Sequence, residues 1–182
     1  MVTTNSSVIL PAEGRFYIAP VGTAKPTTTA VPSAPWTEVG HTTFEDPLVV
    51  ERDGGDVTVL RSWQASAVRS SIEGITYKLT FGLLEHDDLA WNLYYGGGAV
   101  NATTDEFEVP KVPAAQQKAL FVRLIDGAAT WSRYFSLTEI VGSDDEEFDP
   151  EELLFLPVTA VVMDDPAVAY LFTIKGSTSV LP

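Results

Sequence analysis

Ile75-Thr76-Tyr77-Lys78-Leu79-Thr80-Phe81-Gly82-Leu83 alternates apolar with polar or small residues without a break. Successive side chains of an extended strand point to opposite faces, so a period of two describes a strand with one buried and one wet face. Ile75, Tyr77, Leu79, Phe81 and Leu83 are predicted to face a core, and Thr76, Lys78, Thr80 and Gly82 to face solvent. The period then changes. Asp87-Asp88-Leu89-Ala90-Trp91-Asn92-Leu93-Tyr94-Tyr95 opens with acids that suit a helix N-terminus. It places Leu89 with Leu93 and Ala90 with Tyr94 four residues apart, and Gly96-Gly97-Gly98 ends it. A strand running into a short amphipathic helix decides the rest.

Downstream, Leu120–Ile125, Trp131–Val141, Leu156–Met163 and Val168–Lys175 read as further strands, with turns at Asp126-Gly127 and Asp164-Asp165-Pro166. Upstream, Arg15–Ala19 is a strand ended by Pro20, and Trp36–Phe44 resumes a strand-like pattern. The Thr-, Ala- and Pro-rich stretch between them is a long loop, since Pro removes ladder donors. Leu48–Glu51 and Val57–Leu60 flank Arg52-Asp53-Gly54-Gly55-Asp56, a strong hairpin signal because turn residues with positive φ favour Gly. Residues 45–71 are therefore expected to project as a hairpin turning at that Gly pair, residues 1–13 to form a polar arm, and residues 142–152 an acidic loop. The whole reads as a single domain over 1–182: mainly β, an antiparallel sandwich or split barrel of eight or nine strands with one flanking helix.

Eleven Lys and Arg against twenty-five Asp and Glu give a formal charge of −14 in 182 residues. Affinity for DNA normally comes from cations neutralising phosphates, so this chain is a poor candidate for a nucleic-acid binder, and equally for an anionic membrane surface. The N-terminus lacks the basic and apolar regions of a signal peptide, and no stretch approaches the ~20 apolar residues of a membrane helix. A protein made in the cytoplasm is the reading.

Chemistry finds little to work with. Cysteine is absent, no Gly-x-Ser-x-Gly elbow occurs, and His41 and His86 are too far apart in sequence to found a zinc site. Both histidines read as structural. Residues 144–152 hold seven carboxylates but lack the Asp-x-Asp-x-Asp-Gly spacing of a calcium loop, so a solvated acidic loop is the simpler reading and Ca²⁺ the alternative. No catalytic, cofactor or metal residue is assigned, and no enzyme is expected. Trp36, Trp63, Trp91 and Trp131 offer one rival: a carbohydrate-binding or adhesin-like β-sandwich with a stacking platform.

Gly14-Arg15-Phe16-Tyr17-Ile18-Ala19-Pro20-Val21-Gly22-Thr23-Ala24-Lys25-Pro26 resembles the start of major tail tube proteins of long-tailed, non-contractile (siphovirus-type) bacteriophages, those of actinobacteriophages above all. Trp36-Thr37-Glu38-Val39-Gly40, the hairpin ending near Arg69-Ser70, Leu79–Glu85 and the strand order after Gly98 are similar to that family too, over about residues 10–176. Some relatives carry an added immunoglobulin-like domain, for which a chain ending at Pro182 is expected to have no room. The resemblance implies a fold related to the type VI secretion tube protein and six copies forming a ring whose sheets join into an inner barrel. It also implies rings stacked through the hairpin and the arm, with double-stranded DNA passing through the lumen without specific binding. The partners implied are further copies of the chain and the tape measure, tail terminator and distal tail proteins. The location implied is the virion tail. A tail terminator or head–tail joining protein, forming a single ring, is the second rival.

On this reading Thr76, Lys78, Thr80, Ser132, Ser136 and Thr138 are candidate lumen-facing residues, with Lys78 needing a neighbouring acid in a repulsive channel. Glu51, Arg52, Asp53, Gly54, Gly55, Asp56, Arg61 and Arg69 are the candidate ring-stacking residues. Because like-charged rings repel and screening at ~0.15 M reaches about 8 Å, polymerisation followed by light scattering should respond to ionic strength. Assembly that ignores salt would count against an electrostatically opposed stack.

Overall fold

The computed structural model describes residues 10–27, 30–43 and 48–176. Its strands are β1 (Glu13–Ala19), β2 (Thr37–Glu38), β3 (Val49–Gly54), β4 (Val57–Leu60), β5 (Arg69–Ile72), β6 (Ile75–Leu83), β7 (Ala99–Asn101), β8 (Glu106–Glu108), β9 (Gln116–Asp126), β10 (Ala129–Gly142), β11 (Leu156–Val162) and β12 (Phe172–Gly176); its one helix among the described residues is α1 (Asp88–Tyr94). The main sheet runs β2-β1-β9-β10-β11-β6-β3, with β12 also on β10, and every pairing in it is antiparallel.

The alternation in β6 governs the layering. Leu79, Phe81 and Leu83 are buried, and Ile18, Leu120, Val122, Phe135, Ile140, Leu156 and Val158 from the neighbouring strands complete the same core. The sheet curls until strands at opposite ends of that order meet: Phe16 of β1 stacks on Phe81 of β6 with ring centroids 4.6 Å apart. Residues 37–43 close the gap. Val39 N–H donates to the Phe16 carbonyl (2.9 Å), Thr43 N–H to that of Gly82 (3.1 Å) and Leu84 N–H to that of His41 (2.9 Å), so one short segment is stapled to both β1 and β6. The expected strand over 36–44 is thus two ladder residues followed by a clasp, because it serves two partners and cannot stay in register with both.

Helix α1 covers this core with Ala90 and Leu93 buried, and the Asp87 carboxylate caps it by accepting from Ala90 N–H at 2.8 Å. It docks on the end of β10, where a Cβ on Gly142 would lie 2.7 Å from the Tyr94 carbonyl oxygen. The β7–β8 hairpin, not foreseen from sequence, places Phe107 against Trp91 (5.4 Å) and Tyr95 (6.4 Å) beside the helix.

Several expectations are corrected. The strands expected to pair about the Gly pair do not: β3 pairs with β6 and β4 with β5. Gly54-Gly55 (φ +82° and +84°) is the corner where the chain leaves the sheet, and the projecting hairpin is β4–β5 with its tip in 61–68. The long loop before β2 is packed onto the sheet. Tyr134 Oη donates to the Thr23 carbonyl (3.0 Å), and Trp36 packs on Phe121 and Tyr134, so the loop roofs a second small cluster of Tyr17, Ala119, Phe121 and Tyr134 on the opposite sheet face. The last strand begins at Phe172 instead of Val168. The Trp platform is absent as well, since the four Trp residues stand on separate elements: the roofing loop, the β4–β5 tip, α1 and β10. Of the expected terminal arm, residues 1–9 lie outside the described residues; Ala12 N–H is tied to the Ile125 carbonyl at 2.9 Å.

Phe81→Ala removes both the β6 core contact and the aromatic closure, so about 3–5 kcal/mol of destabilisation is expected. Denaturant unfolding measures it, and a loss under 1 kcal/mol would show that the Phe16–Phe81 contact does not hold the barrel shut.

Candidate assembly surfaces

Three exposed surfaces of the barrel stand out. The first is the wet face of β3, β6, β11 and the C-terminal half of β10. Cross-strand register sets Glu51 opposite Lys78, Lys78 opposite Val161, Val161 opposite Glu139, and Glu139 opposite Gln117. Gln117 Nε2 donates to Glu139 Oε1 at 3.0 Å. One row along, Val49, Thr80, Thr159 and Val141 follow each other, with the Thr80 and Thr159 hydroxyls 3.4 Å apart; Asp53 stands opposite Thr76. Glu51 thus stands directly opposite Lys78, and directly opposed side chains on adjacent strands lie within about 5.5 Å at Cβ.

Thr76 is exposed on this face, and Lys78 and Thr80 are half-buried. Ser132, Ser136 and Thr138 are not with them. They are 4%, 2% and 0% exposed, which removes them from any water-lined wall of this chain. The reason lies in the backbone. β11 intervenes between β6 and β10, and β10 is bulged between Phe135 and Thr138, which exchanges the faces on either side of the bulge. Ser132 falls beside the small aromatic cluster and donates to the Lys175 carbonyl (3.4 Å), whereas Thr138 donates to the Lys118 carbonyl (2.9 Å). Their places on the open face belong to Thr159, Val161, Glu139 and Gln117. Polar alternation in β11 and β10 held that signal, but only strand order and the bulge could orient it.

The second surface is the hairpin. Every residue from Asp56 to Gly74 is exposed, including Arg61, Arg69 and a wholly exposed Trp63. Of the other stacking candidates, Glu51, Arg52 and Asp53 belong to β3 and Gly54-Gly55 to the corner, so they position the hairpin instead of forming its tip. A Cβ on Gly54 would lie 2.3 Å from the Gly74 carbonyl oxygen, which makes this residue obligatory in space as well as in φ.

The third surface is the acidic loop between β10 and β11, at the other end of the sheet. Its root is pinned by the helix: Tyr94 Oη donates to the Asp144 carbonyl (2.8 Å) and Tyr95 Oη to Glu146 Oε2 (3.0 Å). Burial, then the nearby acids, raise the Tyr94 phenol above its ordinary value, and burial with the Glu146 hydrogen bond raises Tyr95. Among the described residues no group of three or more His, Asp or Glu is placed to hold a metal ion. His86 sits 3.4 Å from the Leu154 carbonyl, and the backbone N–H of His41 donates to Glu85 Oε1 (3.1 Å). Both histidines thus serve loop corners. A cavity of about 1200 Å³ opens where β1, the 38–43 clasp and β3 meet, with Arg15 at its rim bonded to Glu13 and Glu38.

The profile of the phage tail tube protein family matches residues 1–177. The chain belongs to the phage tail tube protein family. It is also 28% identical over 178 residues to the major tail protein Gp23 of Mycobacterium phage D29, covering 90% of this chain and 88% of that one. A chain in the cryo-EM structure of the anti-feeding prophage baseplate aligns over 100% of both chains with a TM-score of 0.43 and 10% identity, too distant a likeness to decide anything. Family membership makes this a structural component of the virion tail that assembles into a tube with other tail components, and not an enzyme.

Gly54→Ala should cost about 1–2 kcal/mol from the positive φ alone, read as a lowered Tm. An unchanged Tm would show that the corner tolerates a side chain. Because the Tyr94 and Tyr95 shifts are upward, the stability they contribute is fully present below the ordinary phenol value of 10.0 and is lost as pH rises through their elevated folded values. Alkaline unfolding of Tyr95→Phe should therefore be less steep than that of the parent protein.

Proposed function

We propose that six copies of this chain form a ring, that their sheets join into one inner barrel, and that rings stack into a tube whose polar wall conducts double-stranded DNA. The single observation that carries this reading is the open half-face of the sheet. Beside Val49, Val141 and Val161 it carries Thr76, Thr80, Thr159 and Gln117, and the charges on it are the acids Glu51, Asp53 and Glu139 with Lys78 set between Glu51 and Val161. A conduit must not hold what passes. Cations along the wall would retain phosphates, whereas a wall of excess negative charge repels them and stays hydrated.

Strand β3 supports the joining of subunits. It pairs with β6 on one side and is the last strand of the sheet on the other, so its remaining backbone groups can accept a further strand. Its sequence, Val49-Val50-Glu51-Arg52-Asp53-Gly54, would carry the inner face without interruption from one subunit to the next. The charge of −14 per subunit must be overcome when rings meet, so stacking has to come from apolar surface and matched charges on flaps such as β4–β5. The tape measure, tail terminator and distal tail proteins are the partners proposed for the tube's interior and its two ends.

Electron microscopy of the concentrated protein separates this reading from its rivals: sixfold tubes are expected, lone rings would indicate a terminator, and dispersed monomers would end it. Virions carrying Glu51→Lys together with Glu139→Lys should assemble normal tails yet release DNA several-fold more slowly. Unaltered release would move the channel wall to another face.

A further inference from the structure

The β4–β5 hairpin is out of character with the rest of the molecule. Residues 57–72 contain two of the eleven cations, Arg61 and Arg69, and none of the twenty-five acids. They also expose Val57, Leu60, Trp63, Val68 and Ile72 to solvent, Trp63 at 102% of its reference area. A flap this apolar, with no core of its own, is stabilised by a partner surface.

The acidic loop is its complement. Seven carboxylates fall within 144–152, most of them exposed, and Phe148 and Leu153 among and beside them are each 76% exposed. The two features also lie at opposite ends of the same strands. The hairpin leaves the sheet where Gly54 pairs with Ile75, and the acidic loop leaves it where Leu83 pairs with Leu156 and Val158 with Gly142. The nine residues of β6 separate those ends by roughly 26 Å.

We propose that the β4–β5 hairpin of one subunit docks on the acidic 143–153 loop of a second copy, Trp63 seating against Phe148 and Leu153 while Arg61 and Arg69 face the loop's carboxylates. This rests on the tube reading and names the surface the stacking flap meets. Unlike patches at opposite ends make a heterologous contact, which repeats along the strand axis instead of closing on itself as a pair. A two-component patch of this kind also answers the repulsion between rings, since the hairpin is the one flap that presents cations to the next copy's acids.

The absence of native cysteine permits a direct test. Trp63→Cys with Phe148→Cys in one chain should give, on mild oxidation of assembled protein, a disulfide-linked ladder on a non-reducing gel. Each single variant should give at most dimers, and a mixture of the two single variants should give the mixed dimer. In parallel, Arg61→Glu with Arg69→Glu should raise the concentration needed for tubes about tenfold, and adding Glu147→Arg with Glu151→Arg to the same chain should bring it back. Tubes of normal appearance that yield no ladder, or charge reversal that leaves assembly unchanged, overturn the docking and leave the tube standing. Protein that forms neither rings nor tubes overturns both.

Discussion

Phe16 lies on Phe81 although β1 and β6 share no backbone hydrogen bond and are separated by three strands in the sheet. That contact, and the clasp of residues 37–43 hydrogen-bonded to both strands, curls the antiparallel sheet into a split barrel around one core and leaves β3 as an edge. Closure fixes which face is inside. Leu79, Phe81 and Leu83 lose water completely, so the opposite face of the same strands is left as outer wall. The polar row from Glu51 to Gln117 owes its place on that wall to the burial of its sequence neighbours.

Closure also gives the molecule two dissimilar ends. At one end the Gly54-Gly55 corner throws the chain out as a flap with no core of its own, and at the other α1 plugs the barrel while its terminal Tyr pair holds down the acidic loop. A subunit with a different surface at each end is suited to growth by repetition, since identical copies can follow one another along an axis without forming a closed pair. Tube formation, the property of the family, thus has its counterpart in the polarity of a single subunit.

Charge is distributed to suit this plan. Residues 141–182 carry nine acids and one base, while the hairpin carries only cations. A protein of uniform charge density would oppose its own polymerisation at every contact. Segregation of the acids from the hairpin's cations gives the subunit unlike charges at its two ends.

Local chemistry settled a good part of this in the amino-acid chain. The period of two in 75–83, the change of period at Asp87, the acids and Gly that bound α1, and the Asp126-Gly127 turn each describe neighbours within a few residues, and each stands where it was expected, except that Gly82, expected to face solvent, is buried under Thr43 and Phe155. The remaining features depend on partners far along the chain. Val49–Gly54 could pair with Val57–Leu60 or with Ile75–Leu83, and only the buried face of β6 selects the second. Ser132, Ser136 and Thr138 share a period of two, yet the bulge after Phe135 sends them to different surroundings. The Pro-rich loop shows no strand pattern, and it is held to the sheet by Tyr134 Oη on the Thr23 carbonyl and by Trp36, which packs on Phe121 and Tyr134 far along the chain. Periodicity reports which side chains lie together along one segment, whereas strand order, bulges and closure decide what those side chains face.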